Sequence, residues 1–213
     1  MHIRLNKIKP TVTVGFFDPN SEIWEKEVEL QEGKFNLINS TSGRGKSSLT
    51  AFIYGTRKDF TGEVLLNNND NKLFSFAEWS EIRQKKLSIV FQDLRLFGQL
   101  TAMENILVKA DLTNTTSVDE ILDMAEKLKV KKLLEKKCMH MSFGEQQRLA
   151  IIRALSQPFE YLLMDEPFSH LDKGNIKIAS ELILKKCDEN KAGFMLCTLG
   201  DYYDLEYDQV KSV

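Results

Sequence analysis

A short loop of small residues, between an apolar stretch and a Lys-Ser-Ser sequence, constrains the fold of this 213-residue chain more than any other feature. Phe35 to Ile38 is predicted to form a buried strand, and a helix is predicted to begin at Lys46 and run through Phe52 or Ile53. Such a loop brings backbone N–H groups together at a helix N-terminus, where phosphate oxygens bind. The candidate phosphate-binding residues are Ser40, Thr41, Ser42, Gly43, Arg44, Gly45, Lys46, Ser47 and Ser48.

This loop follows the pattern G-x-x-x-x-G-K-[ST], except that Ser40 replaces the first glycine and places a Cβ where the pattern prefers none. Gly43 and Gly45 allow the backbone to approach a ligand closely. Lys46 supplies a cation for the β- and γ-phosphates of a nucleotide, and the Ser47 hydroxyl is a candidate Mg²⁺ ligand. The alternative interpretation, a surface loop with a chance lysine, is disfavoured by the strand and helix predicted on either side.

A second motif places two carboxylates at the end of an apolar run. Tyr161 to Met164 is predicted to be a buried strand, and Asp165 and Glu166 follow it directly. Ligands of open α/β sheets bind at the carboxyl ends of the strands. Asp165 is therefore a candidate Mg²⁺ ligand, and Glu166 a candidate general base that positions an attacking water. An acidic pair that caps a helix is the structural alternative.

Composition excludes several classes of protein. Hydrophobic residues make up 42% of the chain and charged residues 28%, which excludes disordered and fibrous classes. The net charge of −2 gives no indication of nucleic-acid binding. Three widely spaced cysteines, Cys138, Cys187 and Cys197, are interpreted as reduced cytosolic thiols. No run reaches the roughly 18 apolar residues of a membrane span, and the N-terminus lacks a signal-peptide core.

Apolar periodicity organises the rest of the chain. Extended segments are predicted over residues 1–40, 62–76 (with a turn at 67–71), 87–91 and 194–198, and helices over about 101–137 and 143–156. Ser117 and Glu120 form a predicted capping box, and the lysine-rich stretch 127–137 is interpreted as a solvated helix face. Strands separated by helices indicate a mostly parallel sheet.

The segment Met141-Ser142-Phe143-Gly144-Glu145, followed by Gln146-Gln147-Arg148, resembles the L-S-G-G-Q/E signature of ABC ATPases. Met141 replaces the leucine and Phe143 the first glycine. The resemblance extends to Gln92 with the Leu96 to Ile106 segment (the Q-loop) and to Ser169-His170-Leu171-Asp172 (the D-loop). It implies one ABC ATPase domain over residues 1–213. The α/β fold then has a mostly parallel core with an N-terminal antiparallel β-subdomain (1–92 and 157–213) and an inserted helical signature subdomain (93–156).

The resemblance also implies ATP and Mg²⁺ as cofactors and assigns roles to residues. Glu166, Lys46 and Gln92 are then catalytic, and Ser47, Gln92 and Asp165 hold the metal. An aromatic residue that stacks on adenine falls at Phe17, with Phe16 as the alternative and core packing as the structural interpretation of either. In a head-to-tail dimer, the signature residues of one chain close over the nucleotide of the other; these residues are Ser142, Gly144 and Glu145.

One departure from the family concerns catalysis. The family carries a histidine after the last strand that contacts the γ-phosphate, and the aligned residue here is Leu199. Leucine cannot donate a hydrogen bond to phosphate or orient water. Since phosphoryl transfer depends on positioning and charge stabilisation, we expect slow or partner-dependent hydrolysis.

Two hypotheses follow from the resemblance. In the first, the chain is the motor of an ABC transporter, located in the cytoplasm on the inner face of the membrane through a permease that contacts residues around 93–105. In the second, it is a nucleotide-gated regulatory subunit with vestigial hydrolysis, which Ser40, Phe143 and Leu199 favour and Glu166 disfavours. The subgroup that serves lipoprotein release, cell division and macrolide export is the nearest. A soluble relative of DNA-repair or translation proteins is disfavoured, because the chain has no coiled-coil insert or second cassette.

Overall fold

The computed structural model describes residues 1–11, 20–40, 43–203 and 205–213. A five-stranded parallel sheet forms its centre, in the strand order β6-β7-β8-β3-β9. These strands are β3 (Phe35–Asn39), β6 (Leu87–Val90), β7 (Tyr161–Asp165), β8 (Gly193–Thr198) and β9 (Gln209–Ser212). The predicted parallel sheet is therefore confirmed, and β9 is a strand that the sequence patterns had not indicated.

A second, antiparallel sheet covers one face of the parallel sheet. Its strands are β1 (Ile3–Pro10), β2 (Glu27–Leu30), β4 (Phe60–Leu66) and β5 (Asn69–Asp70), in the order β2-β1-β4-β5. The helices are α1 (Lys46–Ile53), α2 (Phe76–Lys85), α3 (Ala102–Ala110), α4 (Val118–Lys127), α5 (Phe143–Leu155) and α6 (Lys173–Asn190). No helix within the described residues is long and apolar enough to cross a membrane.

Side-chain alternation along the central strands divides the core in two. On β7, Leu162 and Met164 pack into a cluster with α5, α4 and α3, whereas Tyr161 and Leu163 pack into a cluster with α1 and the antiparallel sheet. Both clusters meet the fully buried strand from opposite faces, as expected for a parallel sheet that is covered on both sides. The carboxyl end of β7 is thereby fixed rigidly.

The structure corrects three predictions for the segment between residues 62 and 91. The extended stretch predicted over 62–76 ends earlier, because a 3₁₀ turn over Asn71–Leu73 leads into α2, whose capping box is formed by Ser75 and Glu78. The turn predicted over 67–71 is restricted to 67–68, whose two asparagines have φ of 49° and 67°, because 69–70 pair as β5. The strand predicted over 87–91 ends at Val90.

The lysines of the stretch 127–137 are exposed to solvent, as predicted, but the stretch is not the face of a continuous helix. Helix α4 ends at Lys127, and Lys129 then takes a left-handed φ of 57°. A left-handed residue ends a helix, and Leu128 and Val130 turn into the core around it. The predicted capping box of Ser117 and Glu120 is confirmed. Cys138, Cys187 and Cys197 are all buried and form no disulfide.

Candidate functional site: a phosphate-loop cleft

The predicted helix start at Lys46 is confirmed, and its side chain turns back into the loop. Gly45 precedes α1 with a φ of 102°, which favours glycine. The Lys46 Nζ lies 2.9 Å from the Ser40 carbonyl oxygen and 3.7 Å from the Glu166 Oε1, and the side chain is nearly fully buried. A lysine ammonium is thus fixed between the loop backbone and a carboxylate.

The loop borders a cavity of about 250 Å³ at the carboxyl ends of β3, β6, β7 and β8. It brings together residues that are far apart in sequence. Its lining residues are Gly43, Gly45, Lys46, Ser47, Ser48, Gln92, Glu166 and Leu199. The Ser47 hydroxyl donates to the Gln92 Oε1 over 3.0 Å, which joins the start of α1 to the segment after β6. Ser48 accepts a hydrogen bond from Arg57 over 2.8 Å.

Both carboxylates at the end of β7 are buried. Burial raises the pKa of Asp165 above its usual value, and the Ser47 hydroxyl and the Lys46 ammonium act in the opposite direction. Burial also raises the pKa of Glu166, which Lys46 opposes and Asp165 reinforces. A raised pKa is the direction that a general base working near neutral pH requires.

Two carboxylate oxygens at the end of β7 have no hydrogen-bond donor among the described residues, and one of them, Glu166 Oε1, has the Lys46 ammonium 3.7 Å away. Asp165 Oδ1 and Glu166 Oε1 are both buried and make no hydrogen bond within the part of the chain that the structure describes. Buried polar atoms of native proteins are almost always satisfied. Together with the hydroxyl of Ser47 and the amide oxygen of Gln92, Asp165 offers the oxygen ligands that Mg²⁺ takes. The described residues contain no group of three or more His, Cys, Asp and Glu that could hold a metal by itself, so substrate oxygens or water would have to complete such a site.

The backbone at Glu166 is strained. Its φ of 50° places a non-glycine residue in the left-handed region, which is rare and recurs at functional sites. The Glu166 N–H donates to the Cys197 carbonyl over 3.0 Å, and the Glu166 carbonyl accepts from the Gln147 side chain over 3.1 Å. Contacts from β8 and α5 therefore maintain this conformation.

Leu199 occupies the side of the cavity where the family resemblance predicts histidine. Its side chain is 56% exposed and lines the cavity beside Glu166. The Leu199 backbone interacts with the Glu166 carboxylate and lowers the pKa of Glu166, which opposes the effect of burial. The side chain itself provides no hydrogen-bond donor.

The signature residues do not line this cavity. Ser142 caps α5 by accepting from the Glu145 N–H over 3.4 Å, and the Glu145 carboxylate accepts from the Ser142 N–H over 2.8 Å. Ser142 is exposed, and Gly144 is half-buried against the D-loop. Within one chain, the cleft and the signature are therefore separate surfaces.

Four predicted residues cannot be placed. Phe17, its alternative Phe16, and the loop residues Thr41 and Ser42 lie outside the described residues. Arg44 is described, and its carbonyl oxygen accepts a hydrogen bond from the Trp24 indole over 3.2 Å.

Sequence reasoning missed Trp24, which packs under the loop. Its buried ring leaves no space at Gly45, where a Cβ would lie 2.8 Å from the Trp24 Cζ2. The only sequence signal is an aromatic residue in the first β-segment, which also indicates core packing.

Arg153 was missed as well, although it supports the segment that follows Gln92. Its guanidinium donates to the Leu94 and Arg95 carbonyl oxygens over 2.5 and 2.7 Å. Both of these residues have left-handed φ values, 58° and 46°. No sequence pattern joins an arginine of α5 to carbonyls nearly sixty residues earlier.

A parallel sheet with a lysine-bearing phosphate loop and an acidic strand end defines the class of P-loop nucleotide-binding proteins. The sequence family described as ABC transporter matches residues 25–169, and the chain belongs to this family. It is an ATP-binding subunit of the ABC type, in a family of ATPases.

Relatives support this assignment. The chain is 30% identical over 191 residues to the lipoprotein-releasing system ATP-binding protein LolD of Buchnera aphidicola, covering 87% of this chain and 83% of that protein. It is 34% identical over 155 residues to the thiamine import ATP-binding protein ThiQ of Aliivibrio fischeri, covering 71% and 64%. A dimeric structure of the ATP-binding cassette MJ0796 in a post-hydrolysis state with ADP and Pi is 28% identical, with a TM-score of 0.77 and coverage of 92% and 87%.

Proposed function

We propose that the chain hydrolyses ATP as the motor subunit of a membrane transporter. The observation that carries the proposal is the buried Lys46 ammonium, held between the loop backbone and the Glu166 carboxylate, beside the end of β7 where Asp165 Oδ1 makes no hydrogen bond. This arrangement matches the charge pattern of a nucleotide triphosphate with its metal. Assignment of the chain to the ABC family supports the same conclusion.

Each loop residue then has a role in nucleotide binding. The backbone and hydroxyls from Ser40 to Ser48 contact phosphate oxygens, and Lys46 neutralises the β- and γ-phosphates. Because Lys46 already has its carbonyl and carboxylate partners in place, the ammonium needs little reorganisation when the nucleotide enters. We assign adenine stacking to Phe17.

Ser47, Gln92 and Asp165 would hold Mg²⁺. A cation held there would neutralise charge that develops on the phosphates. The chain's own part is to present oxygen ligands, and the 3.0 Å contact between Ser47 and Gln92 keeps two of them adjacent. Loss of Asp165 is expected to remove the ligand that burial leaves without a hydrogen bond.

Glu166 is the proposed general base. It accepts a proton from the water that attacks the terminal phosphorus, while Lys46 beside it stabilises the negative charge of the phosphoryl group. The left-handed backbone at Glu166 supports this role, because it directs the carboxylate into the cavity at the end of β7.

A head-to-tail dimer explains why the signature lies apart from the cleft of its own chain. Ser142, Gly144 and Glu145 then close over the nucleotide held by the partner copy, at the N-terminus of a 13-residue helix where anions bind. The dimeric state of the MJ0796 cassette supports this arrangement.

The permease is proposed to contact residues around 93–105, which places the chain in the cytoplasm on the inner face of a membrane. Arg153 and the buried Asn105 hold this segment in a defined shape. Relatives named for lipoprotein release and for thiamine import both match the chain. We propose a partner of the lipoprotein-release type, because that relative matches a larger share of the chain.

A nucleotide-gated regulatory subunit is the second candidate, and Leu199 is the observation that favours it. A site without the family's phosphate-contacting histidine has one positioning group fewer. ATP binding would then switch association, with little or no turnover.

ATP turnover measured against protein concentration tests the motor proposal. We expect the rate to rise more than linearly with protein, to be low for a free cassette, and to vanish in Glu166→Gln while ATP still binds. Glu181→Gln, an exposed carboxylate on α6, is the matched control and should change nothing. ATP binding without turnover, both for the free chain and for its membrane complex, would instead establish the regulatory subunit.

A further inference from the structure

The cleft contains no imidazole of its own. Leu199 occupies the position at which the ABC family carries a phosphate-contacting histidine. None of the three histidines of this chain lines the cleft. His2 directly precedes β1, with its Nε2 3.7 Å from the Glu29 carboxylate, and His140 is exposed in a 3₁₀ turn. His170, in the D-loop, lies against the signature.

Three contacts fix His170 to the start of α5. Its ring packs edge-on against Phe143, with the ring centroids 4.3 Å apart. Its backbone N–H donates to the Gln147 Oε1 over 3.0 Å. Its carbonyl lies so close to Gly144 that a Cβ there would approach within 2.9 Å. The imidazole therefore moves with the signature as one body.

The His170 side chain is also available for a ligand. The residue is exposed, and neither ring nitrogen makes a hydrogen bond to any residue in the described ranges. It is absent from the lining of its own chain's cavity. Burial of apolar surface is the usual reason for two aromatic rings to pack together. It accounts poorly for the pair of Phe143 and His170, because Phe143 is itself 46% exposed.

We propose that His170 serves the partner copy, donating a hydrogen bond to the terminal phosphate of the nucleotide bound there and supplying the imidazole that Leu199 lacks. The inference rests on the proposed head-to-tail dimer. If the start of α5 closes over the partner's nucleotide, the ring fixed to Phe143 arrives at the same place. Imidazole carries an N–H donor in either protonation state, and a donor aimed at charge that develops in the transition state accelerates the reaction. The site is then complete only in the dimer.

Single substitutions give the first test, with single-turnover phosphate release as the readout. We expect His170→Ala to slow this step about a hundredfold, the typical effect of removing one such donor, with ATP binding unchanged. His140→Ala removes another exposed histidine and is the control, which should have no effect. In a Leu199→His background the effect of His170→Ala should disappear, because the imidazole is then supplied within the chain. A purely structural role of His170 would not show this rescue.

Mixed dimers distinguish action on the partner from action within the chain. Chains with His170→Ala are mixed with chains carrying Glu166→Gln; neither homodimer turns over rapidly. The mixed dimer pairs an intact Glu166 with an intact His170 across the interface, so we expect rapid turnover at one site. Wild-type chains in a large excess of chains carrying both substitutions should lose rapid turnover.

Two results would overturn this inference and leave the motor proposal standing. The first is slow turnover of the mixed dimer together with rapid turnover of wild-type chains in excess double variant. The second is a His170→Ala variant that is as active as an active wild type. A wild-type chain with no Glu166-dependent turnover, free or in its membrane complex, would overturn both.

Discussion

Substituting Gly45 by alanine tests whether Trp24 shapes the phosphate loop. The new Cβ would lie 2.8 Å from the Trp24 Cζ2 and 3.5 Å from its Cε2, and the backbone has a φ of 102°. Gly43 offers a matched comparison, since its φ is 80° but no atom of the residues that the structure describes lies within 4 Å of a Cβ there. Both substitutions strain the backbone, and only the one at Gly45 also collides with the ring.

The structure allows the two contributions to be separated. Backbone strain for a non-glycine residue at positive φ is roughly 1–2 kcal/mol, and forcing extra volume into a packed site costs roughly 1–3 kcal/mol. We expect Gly43→Ala to lower the free energy of unfolding by about 1–2 kcal/mol, since only the strain applies. Gly45→Ala should lower it by about 2–5 kcal/mol, since strain and overpacking add.

Urea unfolding without nucleotide is the appropriate assay, because contacts with phosphate then contribute nothing. In a Trp24→Leu background, Gly45→Ala should lose only the unfolding free energy that backbone strain costs, because the ring no longer collides with the new Cβ. A double-mutant cycle of the four variants isolates the contribution of overpacking. A fluorescent ATP analogue then reports how far the displaced loop weakens binding. Equal losses at Gly43 and Gly45, or a loss at Gly45 that persists without the Trp24 ring, would refute the role given to Trp24.

Two further predictions concern the segment around 93–105. Asn105→Leu should lower the free energy of unfolding by about 2–4 kcal/mol, because this fully buried amide is hydrogen-bonded to both the N–H and the carbonyl of Phe97. Urea unfolding measures this loss beside that of Ser117→Ala, which removes a helix cap worth about 1 kcal/mol. Equal losses in the two variants would contradict the prediction. Arg153→Gln should speed amide hydrogen exchange around Leu94 about tenfold, because the Leu94 carbonyl loses one hydrogen bond. Exchange in α6 should stay unchanged. Unaltered exchange around Leu94 would show that the guanidinium does not hold this segment.

The parts of the site that the sequence predicted are those encoded locally. The strand–loop–helix around Lys46 and the strand that ends at Asp165 are each continuous in sequence, so apolar runs and small residues are sufficient to indicate them. The capping box at Ser117 depends on two residues three apart. Local chemistry of this kind is readable because no distant contact has to be known.

The unpredicted parts depend on contacts between distant residues. Helix α2 was missed because only Trp79 among its residues is buried, so the apolar periodicity that marks a helix is almost absent. Trp24 meets the loop twenty residues later, and Arg153 meets carbonyls nearly sixty residues earlier. Nothing in a sequence pattern selects these pairs over the many other buried aromatic and basic residues, because tertiary packing alone determines them.

Gln147 shows how one such contact joins the two halves of the proposed mechanism. Its amide donates to the Glu166 carbonyl and accepts from the His170 N–H, and it lies on the same helix whose N-cap is the exposed Ser142. The proposed general base and the D-loop beside the signature are thus hydrogen-bonded to the same side chain. Because a left-handed residue such as Glu166 keeps its conformation only while its neighbours hold it, a change at the start of α5 bears directly on the base. This link gives dimer closure a physical route to catalysis.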